Sequence, residues 1–226
     1  MLRSLLALVL ACAAGVASAQ LDKISNQDAT TGLKGALERG AQAAVANLGK
    51  TDGFLGNNAV KIGLPDSLKR YEKMMRKVGM GKYADELVLT MNRAAEAAVP
   101  EAKALFVDAV KKMSLQDAKG IVMGGSTSAT DYFKRTTTEQ LRAKFLPIVA
   151  QATKKVQLAD KYNEYAAQGA KFGLVKGEDA NLDRYITQKT LDGLFFMVAE
   201  EEKRIRANPI AAGSEIIRKV FGALTK

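Results

Sequence analysis

The chain has 226 residues, is 47% apolar and 26% charged, and carries a formal charge of +10 from 34 basic and 24 acidic residues. That length and apolar content suit one domain with a sizeable core. It has no histidine and a single cysteine, Cys12, which excludes an internal disulfide, a serine–histidine triad and the usual ligation of zinc or haem.

Arg3 precedes an apolar run, Leu5 to Val16, which is followed by Ala17-Ser18-Ala19 and Gln20. A basic start, a short apolar stretch and small residues at the cut positions read as a secretory signal over residues 1–19, cleaved after Ala19. The run is too short for a permanent membrane span. Val9-Leu10-Ala11-Cys12 loosely resembles a lipoprotein box, but Leu10 fits poorly and the apolar core before Cys12 is very short, so the cleaved signal is preferred. Residues 20–226 then form a single helical domain, without cysteine and with the charge lowered by one. For an exported basic protein, an anionic envelope component or a protein partner fits better than nucleic acid. The lysines are also scattered among acidic residues, as on an ordinary solvated helical surface.

Asp28, Thr30 and Thr31 precede a helix whose apolar face is Leu33, Leu37, Ala41, Ala44, Val45 and Leu48, with Gly49 as its stop. Residues 51–58 are rich in turn formers. Val60, Ile62 and Leu64 then alternate with Ala59, Lys61 and Gly63, which predicts a short extended arm across helices. Pro65 and Asp66 open a second helix with Leu68, Tyr71, Met75 and Val78 inward, closed by Gly79 and Gly81. A third spans about Lys82 to Val99, with Tyr83, Leu87, Met91, Ala94, Ala95 and Ala98 on one side. Pro100 starts a fourth, with Leu105, Phe106, Ala109, Val110 and Met113 on its face. Ser114 and Asp117 form a capping-box pattern that begins a fifth, through Met123.

Gly124 and Gly125 end that helix, and Ser128 with Asp131 repeats the capping-box pattern. Arg135 to Thr138 is expected to interrupt this short sixth helix. Thr137 and Gln140 restart a seventh, with Leu141, Phe145, Ile148, Val149, Ala152, Val156, Ala159, Tyr162 and Ala166 along it and a kink at Pro147. A polar loop over residues 172–182 precedes a helix carrying Ile186, Leu191, Leu194, Phe195, Val198 and Ile205. Asn208-Pro209 separates a last one, with Ile216, Ile217, Val220 and Phe221. The sum is about nine helical segments in one all-α, bundle-like domain.

Motifs for familiar chemistries are missing: there is no Ser-x-x-Lys, no Gly-x-Ser-x-Gly and no Walker loop, and no cofactor is expected. Asp179-Ala180-Asn181-Leu182-Asp183 imitates half a calcium loop. Arg184 then replaces the required glycine and Thr190 the required glutamate, so no metal site is expected and Asn181 or Asp183 reads as a helix cap. Glu200-Glu201-Glu202 with Lys203, Arg204 and Arg206 reads as a solvated charged face. Glu200–Arg204 and Glu202–Arg206 are spaced for i,i+4 pairs.

Two clusters stand out. Asn92, Arg93 and Glu96 sit one turn apart beside small alanines and read as a polar network. Gly124, Gly125, Ser126, Thr127, Ser128 and Asp131 lie where a helix begins, and the free N–H groups and positive dipole end of such a start attract anions. This stretch is the candidate ligand-binding site, although capping alone accounts for a glycine followed by a serine.

Asn92-Arg93-Ala94-Ala95-Glu96, Gly124 through Phe133, Phe145-Leu146-Pro147-Ile148-Val149, Leu191-Asp192-Gly193-Leu194-Phe195 and Ala199 through Pro209 together resemble one bacterial family, the exported "domain of unknown function 4197" family. The resemblance runs from Gly32 to Gly222 and implies a secreted, all-helical envelope protein; it brings no activity and no catalytic residues. The function expected is that of a non-enzymatic binding or interaction module, with a small anionic ligand as one option. An envelope enzyme using carboxylate, hydroxyl or lysine groups, and a purely structural protein, remain the alternatives.

Overall fold

The computed structural model of the chain describes residues 26–79, 81–154, 160, 162–163 and 181–208, the side chains of residues 26–29, Ser67, Arg70, Tyr71, Met74 and Met75 excepted. The expected signal, the 172–180 loop, the last helix, the positions Val156, Ala159 and Ala166, and the side chains of Tyr71 and Met75 lie outside that description. The described residues are all-helical, with no strand among them. They form α1 (Asn26–Leu48), α2 (Asp66–Lys77), α3 (Gly81–Ala98), α4 (Ala102–Lys112), α5 (Leu115–Met123), α6 (Ser128–Thr153) and α7 (Leu182–Ala207), with a 3-10 turn, Val99–Glu101, between α3 and α4.

The helix period predicts most of the core. Every inward residue expected in α1 is buried, as are Leu87, Met91, Ala94, Ala95 and Ala98 in α3 and the six expected in α7. Burying each large apolar side chain contributes about 1.5–3 kcal/mol, so these stripes supply the main driving force. Phe106 of α4, Phe133 of α6 and Phe195 of α7 meet at the centre, with ring centroids 4.8 Å and 6.2 Å from Phe106.

The long helices α6 and α7 make the most extensive interface. Three side-chain links fix their direction. At one end the Thr153 hydroxyl donates to Asp183 at 2.6 Å. Midway, Arg142 donates to Gln188 at 2.7 Å. At the other end the Ala129 and Thr130 amides donate to Glu202. The two helices therefore run antiparallel. α1 is likewise antiparallel to α4, since Lys34 reaches the Lys111 carbonyl while Gln42 faces Lys103.

Several expectations are corrected. The sixth and seventh segments are one helix, because Thr136, Thr137 and Thr138 turn their hydroxyls back onto the carbonyls of Tyr132, Phe133 and Lys134. The threonines are accommodated inside the helix instead of breaking it. As expected, the helix runs on through Pro147, which lies on its exposed face, so the carbonyl that loses its helical donor is on the solvent side. Pro100 sits in the 3-10 turn, and α4 proper begins at Ala102. Val78 is 67% exposed because α2 has already ended at Lys77. Tyr83 is 41% exposed, in the first turn of α3 with Lys82 over its ring.

The extended arm expected over Ala59–Leu64 does not form as one. The amides of Val60 and Lys61 both donate to Asn57, which makes a turn there, and residues 61–65 are irregular. The alternation survives as burial: Val60, Ile62 and Leu64 are inside while Ala59, Lys61 and Gly63 are exposed.

The connection before this segment is wedged into α7. Phe54 is fully buried, and a Cβ added at Gly193 would lie 2.7 Å from its ring and 3.3 Å from Val60. Gly193→Ala is therefore expected to cost about 1–3 kcal/mol, the usual range for overpacking a filled core. Gly120→Ala in α5 meets nothing within 4 Å. It should instead stabilise by about 0.4–1 kcal/mol by restricting the unfolded chain. Urea unfolding followed by circular dichroism separates the two; equal midpoints would show that Phe54 is not locked in place.

Candidate functional site

The stretch Gly124–Asp131 is the start of α6. Ser128 was expected to cap it, but the cap position is Thr127, which makes no side-chain cap bond. The Ser128 hydroxyl instead donates backward to the Gly125 carbonyl at 3.0 Å. Asp131 is exposed, and its amide continues the helix by donating to Thr127.

The group that caps α6 comes from the far end of the chain. Glu202, on α7 and 7% exposed, accepts from the Ala129 amide at 3.0 Å, the Thr130 amide at 2.9 Å and the Thr130 hydroxyl at 2.8 Å. Arg206 holds the same carboxylate with Nε at 3.0 Å and Nη2 at 2.8 Å, and also donates to the Ile121 carbonyl near the end of α5. The protein's own carboxylate thus lies in the positive field where a helix start would take a bound anion. An incoming anion there would meet a like charge. Gly124 has a steric role, since a Cβ would collide with the Ser128 side chain and lie 2.7 Å from the Gly120 carbonyl, whereas one at Gly125 would meet nothing within 4 Å.

Asn92, Arg93 and Glu96 are brought together on α3, and each fastens the 51–65 connection. Glu96, 5% exposed, accepts from the amides of Phe54 at 3.0 Å and Leu55 at 3.2 Å. Arg93 bridges Glu96 to Asp52. Asp52 has a left-handed φ of 62°, unusual for a residue with a side chain, and the guanidinium of Arg93 grips it in that shape. Fully buried Asn92 accepts from the Ile62 amide at 2.9 Å and donates to the Ile62 carbonyl at 2.8 Å, pairing both backbone groups of one residue as a neighbouring strand would.

The segment fastened in this way forms one wall of a groove of about 840 Å³, which α2, α3 and α7 complete. Val88 of α3 and Phe196 of α7 give it an apolar surface, and Phe196 is 42% exposed. Tyr185 of α7 reaches across to the Gly63 carbonyl at 3.0 Å. Acidic and basic side chains surround this surface. Arg76 binds Glu72 at 2.9 Å and Asp85 at 2.6 Å, and its hydrogen bond is the main cause that holds the Asp85 carboxyl below the usual carboxylate range. Lys69 does the same for Asp66. A general acid needs a carboxyl shifted upward; both of these move the other way.

The charge run of α7 divides differently from its spacing. Arg204 pairs with Glu201 at 2.6 Å and Lys203 with Glu200 at 2.8 Å, so Glu200–Arg204 is not the pair formed. Glu202–Arg206 is formed, but inside the protein rather than on a solvated face. Of the calcium-like stretch, Asn181 caps α7 by accepting from the Arg184 amide and Asp183 takes the Thr153 hydroxyl, while Asp179 lies outside the described residues. No group of three or more acidic side chains able to hold a metal occurs among the described residues.

The groove was missed from the sequence because its residues come from four separate stretches. Its local traces were Asp66, Lys69, Glu72 and Arg76, and Lys189, Asp192, Gly193 and Phe196, each set at helical spacing.

A family model described as "Protein of unknown function (DUF4197)" matches residues 23–222, and the chain belongs to that family. No curated protein and no solved structure matches it.

Removing Glu202 strands two buried amides and an arginine. Glu202→Ala should therefore lower stability by about 3–5 kcal/mol, as when one partner of a buried ion pair is deleted. Ser128→Ala should change it by less than about 0.5 kcal/mol, the scale of an ordinary surface substitution. Denaturant unfolding checks both, and the reverse order of effects would make Ser128 the cap.

Proposed function

We propose that this member of the DUF4197 family is an exported, non-enzymatic envelope protein that binds a ligand in the groove bounded by residues 59–64, α2, α3 and α7. One observation carries the reading. The groove is about 840 Å³, inside the range of roughly 300–1,000 Å³ typical of ligand pockets, and pairs an exposed aromatic surface with convergent charged groups. The alternative site at Gly124–Asp131 has less to offer a ligand, because Glu202 takes the Ala129 and Thr130 amides. Export rests on Arg3, the Leu5–Val16 run and Ala17-Ser18-Ala19. No helix among the described residues is long and apolar enough to cross a membrane.

The groove is also shaped before any ligand arrives. Asn92 and Tyr185 hold the 62–63 backbone from opposite sides, so one wall costs little to order on binding.

Two measurements test the proposal. Intact mass of the protein taken from the envelope should place its first residue at Gln20. Addition of a detergent-free envelope extract to isotope-labelled protein should shift amide resonances of Lys61, Gly63, Val88, Lys189, Gly193 and Phe196. Shifts centred on Gly124–Thr130 would move the site there, and no shifts at all would end the binding reading.

A further inference from the structure

We infer that the groove takes an extended polypeptide segment of low charge, held by backbone pairing to the open edge of residues 61–63. This rests on the reading that the groove is the ligand site. The edge is open because of how Asn92 is used. The Ile62 amide donates to Asn92 at 2.9 Å, and the Ile62 carbonyl accepts from it at 2.8 Å. Each of those groups belongs to a planar peptide unit, and in a trans unit the carbonyl and the N–H point in opposite directions. No cis bond occurs among the described residues. The Lys61 carbonyl shares its unit with the Ile62 amide, and the Gly63 amide shares its unit with the Ile62 carbonyl. Both therefore point away from Asn92.

Neither of these two groups has a hydrogen-bond partner among the described residues. They belong to exposed residues that line the groove, and a Cβ added at Gly63 would meet nothing within 4 Å. The backbone groups on either side are already paired. The Lys61 amide donates to the Asn57 carbonyl at 2.8 Å, and the Gly63 carbonyl accepts from Tyr185 at 3.0 Å. What remains is one acceptor and one donor flanking Ile62. A single residue of an extended chain matches that pair, with its N–H to the Lys61 carbonyl and its carbonyl to the Gly63 amide, as in a parallel ladder. Asn92 supplies the same two groups from a side chain on the other edge.

The side chains of the lining set the rest of the ligand. Four are acidic and four basic, so the groove has no net charge to attract an ion. Asp66, Glu72, Asp85 and Asp192 are each ion-paired with Lys69, Arg76 or Lys189. A strongly charged ligand of either sign would meet like charges there. A peptide amide is neutral and brings a donor and an acceptor together. Phe196 presents 42% of its surface, and Val88 beside the groove is half-buried. Covering them needs apolar carbon. An extended segment with uncharged, partly apolar side chains meets both requirements.

Magnetic-resonance titration of isotope-labelled protein with acetyl-Thr-Val-Phe-Val-Thr-amide tests this. The Gly63 amide proton and the Lys61 carbonyl carbon should shift downfield together, and Phe196 should move with them. The same peptide N-methylated at every residue keeps its side chains but loses its donors, and should bind about tenfold more weakly. Gly63→Pro removes the protein's donor and should weaken the unmodified peptide about tenfold as well. Gly63→Ala should leave its affinity unchanged, and thermal unfolding checks that both variants fold. If Gly63→Pro does not fold, the methylated peptide decides alone. Equal binding of the methylated peptide would overturn backbone pairing. Propionamide moving the same two resonances at equal concentration would reduce the edge to a small carboxamide site. Peptide shifts confined to other residues would place the segment elsewhere. If the peptide moves nothing while envelope extract still shifts the groove amides, the polypeptide class falls and the groove reading stands. If neither moves them, both fall.

Discussion

A single carboxylate ties together the end of α5, the start of α6 and the last turns of α7. Glu202 is nearly buried, and a buried charge is tolerated only when its lone pairs are filled. Here they are filled by two backbone amides, one hydroxyl and a guanidinium. The amides would otherwise be orphan donors of a helix start, so two costs cancel: the helix lacks a cap and the acid lacks partners. Arg206 extends the joint by taking the Ile121 carbonyl. The antiparallel register of α6 and α7 follows, because sliding either helix by one turn would separate all of these groups together.

The same device appears a second time in the fold. Glu96 takes the Phe54 and Leu55 amides and is held by an arginine, as Glu202 takes the Ala129 and Thr130 amides and is held by Arg206. In each case a glutamate on a helix seizes consecutive amides of a distant segment. This suits a chain whose described residues have no disulfide to staple its connections. The apolar stripes give the cohesion, and these two acids specify which segment lies where, since misplacing either leaves a charge and two amides unpaired in the interior.

The helices were legible in the sequence because burial on one face imposes a period that a single stretch displays. α1 reads off Leu33, Leu37, Ala41 and Leu48 alone, and the α5 cap reads off Ser114 and Asp117, three residues apart. The failures share one cause. Ser128 and Asp131 have the same spacing as Ser114 and Asp117, yet their own amides go to the Gly125 and Thr127 carbonyls, and the amides between them go to Glu202, 73 positions away from Ala129. Local capping is a default that a long-range partner overrides. Glu202 was likewise hidden among Glu200 and Glu201, because three adjacent acids look alike in sequence while a helix turns each by a hundred degrees or so. Glu202 is buried, Glu201 is partly covered and Glu200 is exposed. Asn92, Arg93 and Glu96 could be grouped from their spacing, but nothing local names Ile62, Asp52 or Phe54 as their partners.

The groove follows from these joints rather than standing apart from them. Glu96 and Arg93 fix residues 52–55, which seats Phe54 against Gly193; Asn92 fixes Ile62, which seats the following backbone against Tyr185. The irregular segment is thereby pinned to α3 on one side and α7 on the other, and its residues 59–64 form one wall of the groove. Phe196 faces that groove and stays partly uncovered. The network on α3 therefore acts on the groove without lining it, because Asn92, Arg93 and Glu96 hold in place the connection that supplies one of its walls.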